Sequence, residues 1–246
     1  MKSSASPAFL LSLCAGLLFA NPAWTQDVVI QKDNQRREGQ ILSVTDGTLK
    51  IKVGPAETGI PMSNVASVIK APPKAYEDAL AAWQSGDANR TLPLIKSVVD
   101  TFRGLPTPWA ERASAMLGEV YLALDQIPAA EAAFAAFQKA YPNAGAVADI
   151  GLARLAVNKK DYATAKAKLA PIVAEAENVV IAPAGKSAAY GQAFYLMGMV
   201  RESEGLLPEA LRDYLSAVTL FHEDKAIVAK AQERANVLIE QKVIVP

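Results

Sequence analysis

The sequence predicts a mainly α chain: a solenoid of about four helical hairpins with a C-terminal capping helix, preceded by a small antiparallel β-barrel-like domain. Three observations predict it. Apolar residues alternate with period two between Asp27 and Lys70. "APP" at 71–73 ends that pattern, and the period is helical from Lys74 onward. Within the helical part, a small residue and an aromatic or branched one recur at fixed separation in successive segments of about 35 residues, the mark of a repeat array.

The first 23 residues read as a secretory signal. Lys2 gives a positive start, Ala8–Ala20 is an apolar run too short for a comfortable membrane span, and "ANPAWTQD" offers small residues for cleavage, expected after Ala23. Cys14, the one cysteine, lies inside that apolar run with Leu13 before it, so it does not sit as a lipoprotein cysteine would. The mature chain is then expected to have no thiol or disulfide chemistry and to be exported, periplasmic or otherwise extracytoplasmic, and soluble.

In 27–70, "GQILSVTDGTLKIKV" alternates around Leu49, Ile51 and Val53, with Asp46-Gly47 at a two-residue turn. "TGIPMSNVASVIK" follows a Gly54-Pro55 turn. Four or five short strands in this span predict a small barrel or curled sheet. Their order resembles an SH3-like or Sm-like barrel.

The helical region divides into units of about 72–104, 108–143, 145–177 and 187–222. The second carries Leu117, Gly118, Tyr121, Ala130, Phe134, Phe137 and Pro142. The third carries Leu152, Ala153, Tyr162, Ala165 and Leu169, and the fourth Met197, Gly198, Gly205, Ala210, Tyr214 and Ala217. The first keeps Gly86 at its turn but is otherwise degenerate. Such a hairpin cannot bury its apolar face alone. Small residues let its helices approach, aromatic rings fill the gap to the next unit, and turn residues stop the pair from fusing. Apolar residues at Ile227, Ala231, Val237 and Leu238 predict an end helix over 224–242 that covers the last unit. Pro93 and Pro171 fall in second helices and are expected to kink or shorten them.

The spacing Leu-Gly-x-x-Tyr…Ala-x-x-x-Phe…Pro in the second unit resembles the tetratricopeptide repeat (TPR) family. "AAEAAFAAFQKAYPNAG" is similar to its exported bacterial members, among them outer-membrane assembly lipoproteins and Tol-Pal coordinator proteins. The lipobox of the former is missing. The resemblance implies a concave groove lined by first helices, in which a protein segment binds. By register it places Tyr76, Leu80, Trp83 and Gln84 in that groove from the first unit and Arg112, Glu119 and Leu122 from the second. Arg154 and Asn158 follow from the third, and Tyr195, Met199 and Glu202 from the fourth. The lysine/asparagine carboxylate clamp of chaperone-binding members is not matched, because Tyr76 and Ala115 occupy two of its lysine positions. Trp83 and Tyr195 are the candidate anchors. The alternative for Tyr76 and Trp83 is that they pack the linker or the β-domain onto the first unit.

Chemistry is sparse. His222 is the only histidine, and Ala226 stands where a zinc-binding partner would be. No Gly-x-Ser-x-Gly elbow precedes a serine. "PAGKSAAYG" lacks the leading glycine of a phosphate loop, since Val180 is there, and reads as an inter-unit loop with Ser187 opening the next helix. Glu202 and Glu204, like Glu175 and Glu177, point to different sides of a helix. No cofactor, metal or catalytic set is expected, and 25 basic against 25 acidic residues argue against nucleic acid as a partner. The expected function is a non-enzymatic scaffold for another protein or for a second copy, in envelope organisation or assembly. The alternative is a glycan- or cell-wall-associated binding protein, or a hydrolase accessory protein, that acts through the β-domain. The absence of any aromatic residue in 27–70 argues against peptide-groove and base-stacking roles for that domain.

Overall fold

The computed structural model describes residues 26–183 and 185–245, so the expected signal and Cys14 lie outside the described residues. Five strands come first: β1 (Asp27–Gln31), β2 (Arg36–Thr45), β3 (Thr48–Val53), β4 (Ala56–Pro61) and β5 (Val65–Ile69). All neighbours are antiparallel, in the order β4-β3-β2-β1-β5. Asp46 and Gly47, both at positive φ, turn β2 into β3. The long strand β2 pairs with β1 through Arg36–Gly39 and with β3 from Gln40 on, so the sheet bends there. Gly39 is required at this bend: a Cβ on it would lie 2.2 Å from the Lys52 carbonyl oxygen.

Among the described residues nine α helices follow: α1 (Lys74–Gln84), α2 (Ala88–Phe102), α3 (Pro108–Ala123), α4 (Ile127–Ala140), α5 (Ala146–Asn158), α6 (Tyr162–Glu177), α7 (Ser187–Ser203), α8 (Leu207–Thr219) and α9 (Lys225–Glu240). They form four antiparallel hairpins and an end helix. The starts are capped where the sequence offers caps: the side chains of Asp87, Thr107, Asp161 and Asp224 each accept a backbone N–H in the first turn. Proline opens α3, α4 and α8, where its missing donor costs nothing. Pro93 and Pro171 are exposed inside α2 and α6 and shorten neither, which remain at 15 and 16 residues.

The turn inside each hairpin is the same device four times. Gly86, Asp125, Lys160 and Gly205 all have positive φ, between 55° and 79°. Each stands seven residues after the small residue of its first helix, at Ala79, Gly118, Ala153 and Gly198. Glycine adopts this conformation freely, whereas aspartate and lysine carry the steric penalty of a left-handed L-residue.

Within units, and at one junction between them, the packing is ring on backbone. The Phe134 ring from α4 is clamped between two first helices: a Cβ on Gly118 of α3 would come within 2.6 Å of it, and one on Gly151 of α5 within 2.5 Å. Tyr214 of α8 lies on Gly198 of α7 in the same way, at 2.5 Å. In the third unit Ala153 and Leu169 take these positions, both fully buried.

The sheet is docked on the solenoid. Leu105, in the loop between α2 and α3, is fully buried and joins Val29, Ile41, Leu49, Ile51, Ile60 and Val65 in the core of the sheet. That loop is fastened from its other side by Tyr141, whose hydroxyl accepts from the Gly104 amide at 2.9 Å and donates to the Leu105 carbonyl at 3.3 Å. Trp109 Nε1 donates to the Lys70 carbonyl at 2.9 Å, and Lys70 pairs with Asp27 at 2.8 Å with both side chains largely buried.

Candidate binding groove

From α3 onward, successive first helices touch one another: α3 meets α5, α5 meets α7, and α7 meets α9. The second helices of neighbouring hairpins are farther apart. The stack therefore curves with α3, α5, α7 and α9 on its inner side. The end helix α9 occupies the place of a fifth first helix.

A chain of side-chain contacts runs along this inner side. Arg154 Nη1 on α5 donates to Glu119 on α3 at 2.9 Å, and Arg154 Nη2 donates to Gln192 on α7 at 3.3 Å. Gln192 Nε2 then donates to Asp224 at 2.9 Å, while the other carboxylate oxygen of Asp224 caps α9 through the amides of Ala226 and Ile227. The Glu119 and Arg154 side chains are only 22% and 21% exposed, so the link is shielded rather than a mobile surface pair. Four helices are thus tied by one continuous polar ladder.

A second cluster stands beside it. Glu202 on α7 accepts from the Tyr214 hydroxyl at 2.8 Å and is paired with Arg234 of α9. Burial, followed by the adjoining Glu202 carboxylate, pushes the Tyr214 hydroxyl well above the usual phenol range. The Glu202 partner raises the Arg234 guanidinium. Tyr195 is half-buried, and its ring lies 6.0 Å from that of Tyr214. Burial raises its hydroxyl while Arg154 and Arg234 nearby oppose that shift.

The residues placed in the groove by register divide into four groups. Glu119, Arg154 and Glu202 are committed to ion pairs that hold first helices together. Leu80, Trp83, Leu122, Tyr195 and Met199 are half-buried and present part of their apolar surface, while Gln84, Arg112 and Asn158 are exposed, the amide of Asn158 turned back to the Arg154 carbonyl of its own helix. Tyr76 belongs to the packing alternative: it is 5% exposed and its ring lies 6.0 Å from Trp109 at the junction with the sheet. Trp83 packs on the same cluster but keeps a partly open edge. Gln192, Asp224 and Arg234 were not foreseen. Gln192 lies three residues before Tyr195 on one helical face, which was the available signal. Arg234 was hidden in a helix read only as a solvating end.

Below the groove, between α7 and α8, Asp213 is fully buried. Its Oδ1 accepts from Arg201 at 2.6 Å, and its Oδ2 has no hydrogen-bond partner among the described residues. Burial pushes this carboxyl up to about 7, against the pull of Arg201 and Arg212. Among the described residues no group of three or more His, Cys, Asp or Glu side chains is placed to hold a metal ion, and no helix is long and apolar enough to cross a membrane.

No protein-family model matches the chain, and no curated protein matches it. Among solved structures it is similar to MamA 41-end from Desulfovibrio magneticus RS-1, with 18% identity and a TM-score of 0.40, over 69% of this chain and 94% of that one. It is similar to the MamA RS-1 ArsTM double mutant at 17% identity and a TM-score of 0.39, over 69% and 95% of the two chains.

Proposed function

We propose that this protein is an exported, non-enzymatic scaffold that holds a segment of another protein against the inner side of its helical stack, in envelope organisation or assembly. One observation carries the reading: the first helices from α3 onward form a continuous inner face whose ionic groups are largely paired with each other, while Leu122, Tyr195 and Met199 on it, and Trp83 on α1, keep apolar surface open. A surface of that kind gains from burying apolar and aromatic side chains of a partner. Arg112 has no ion-pair partner among the described residues and adds a cationic point near the first-unit end. Export rests on the N-terminal pattern of Lys2 and Ala8–Ala20.

The test is a capture experiment with the processed protein as bait in an envelope extract of its own source, beside a Trp83→Ala, Tyr195→Ala variant of matched thermal stability. A specific protein recovered by the native bait and lost by the variant supports the groove. Identical recoveries by both baits sink it. N-terminal sequencing of the processed chain tests export separately; an intact Met1 in the mature product would remove that part.

A further inference from the structure

Two neighbouring side chains of α8 face α7 and are satisfied unequally. Tyr214 gives its hydroxyl to Glu202, which is itself held by Arg234 of α9. Asp213 is fully buried; its Oδ1 accepts from Arg201 of α7 at 2.6 Å, and its Oδ2 accepts from no described residue. The charges that act on it are Arg201, Arg212 of α8 itself and Glu177 of α6. Arg212 and Glu177 are half-exposed and screened by water, and the cation that α9 brings, Arg234, is engaged by Glu202. Burial therefore favours the neutral acid over the carboxylate, against the pull of Arg201 and Arg212.

Asp213 also lies in the part of the stack that costs least to open. α8 packs between α7 and α9, and no described helix follows α9. In a stack whose units touch only their neighbours, the end elements open first. α9 buries Ile227, Ala231, Ala235 and Leu238, a smaller apolar load than that of α4 with Phe134 and Phe137. We propose that α8 and α9 form a proton-operated latch: they lie shut on α7 while Asp213 holds a proton, and come away from it together as that proton is given up to water. Opening returns the carboxylate to water, so the open form binds one proton fewer over this range. Acid shuts the latch and neutral pH loosens it. Opening also takes Arg234 from Glu202 and the Tyr214 ring from that of Tyr195, 6.0 Å away in the shut form, so the α7 part of the inner face is remodelled. The second hairpin has no such group, because Ala133 stands at the matching place. The latch is independent of what the groove holds.

Hydrogen exchange read by mass spectrometry on the complete chain, from about pH 4 to about pH 8 with labelling times scaled to the intrinsic exchange rate, tests it. The opening constant of α8 and α9 is expected to rise by up to about tenfold per pH unit, the limit for one released proton, and to level off near 7. Amides of α3 and α4 are expected to show no such rise. Asp213→Asn removes the rise, while Glu202→Gln and, in the loop before α9, His222→Gln keep it. Should Asp213→Asn fail to fold, the carboxyl-carbon NMR shift of Asp213 in the native chain reads the same proton, with a midpoint expected well above the ordinary carboxylate value. A flat profile in α8 and α9, an equal rise in α3 and α4, or a rise that persists in Asp213→Asn overturns the proposal. So does an Asp213 carbon that titrates at the ordinary 3.8.

Discussion

The second and fourth hairpins use one register and finish it differently. Each sets an aromatic ring from its second helix on a glycine of its first: Phe134 on Gly118, Tyr214 on Gly198. Phe134 is gripped on its other side by Gly151 of the next unit, so that contact is hydrocarbon against backbone throughout. Tyr214 reaches beyond its own glycine and hands a hydroxyl to Glu202, which in turn holds Arg234 of α9. At the ring positions, the middle of the stack is therefore sealed by dispersion and burial, while its end adds a hydroxyl-anchored network. The repeat fixes where the ring sits, and the neighbour it meets decides what chemistry the ring carries. Asp213, buried one residue before Tyr214, belongs to the same polar end and has no counterpart in the second hairpin, where Ala133 stands.

Five substitutions break or sharpen this contrast. The largest effect is expected at the sealed ring. Phe134→Ala leaves two glycine faces with nothing between them and should cost about 3–5 kcal/mol in urea unfolding. Tyr214→Phe keeps the ring and loses one hydroxyl, and should cost about 1 kcal/mol; a cost equal to that of Phe134→Ala would show the polar end to be no network but a second sealed contact. The next effect belongs to Asp213. Its folded-state carboxyl, near 7, lies above its ordinary value of 3.8, so the folded protein holds the proton more tightly than the unfolded chain does. The stability that this proton supplies is complete below about pH 4 and is lost as pH rises through about 7, on the order of 4 kcal/mol. Asp213→Asn should flatten that part of the profile, whereas Phe134→Ala should lower the whole profile without changing its slope. The smallest effect is at the turns. Lys160→Gly relieves a left-handed lysine (φ 60°) and should add about 0.5–1 kcal/mol, with no gain from Gly205→Ala in the equivalent turn, which should instead lose stability.

Much of the α region was legible because the repeat repeats its constraints. Gly118, Ala130, Phe134 and Phe137 could be read as one unit, and the seven-residue step from small residue to turn recurs even where the turn residue is aspartate or lysine. The curled sheet was legible through Asp46-Gly47 and the alternation on either side of it. The docking of one region on the other was legible only as an alternative, through Tyr76 and Trp83, and its central residue was not. Leu105 sits in "RGLPTP", among residues that signal a loop, and periodicity says nothing about a single apolar side chain in a turn. The groove was half legible: register puts Glu119, Arg154 and Tyr195 on the right helices. It does not tell whether a polar side chain faces a ligand or the next helix, which depends on inter-helix distance. Tyr76 shows the same limit from the apolar side, since a ring at groove register was drawn inward by Trp109, whose place depends on the sheet.

The polar ladder from Glu119 through Arg154 and Gln192 to Asp224 has a mechanical consequence. It runs along the inside of the curve, so a bending motion that flattens the stack pulls its rungs apart, and one that tightens the stack relaxes them. On the outer side, among the described residues, the second helices α6 and α8 share one exposed pair, Arg212 with Glu177 at 3.8 Å, a weaker restraint than the shielded ladder. The protein is thus built like a bow with its string on the inner side: it is stiff toward opening and compliant toward closing.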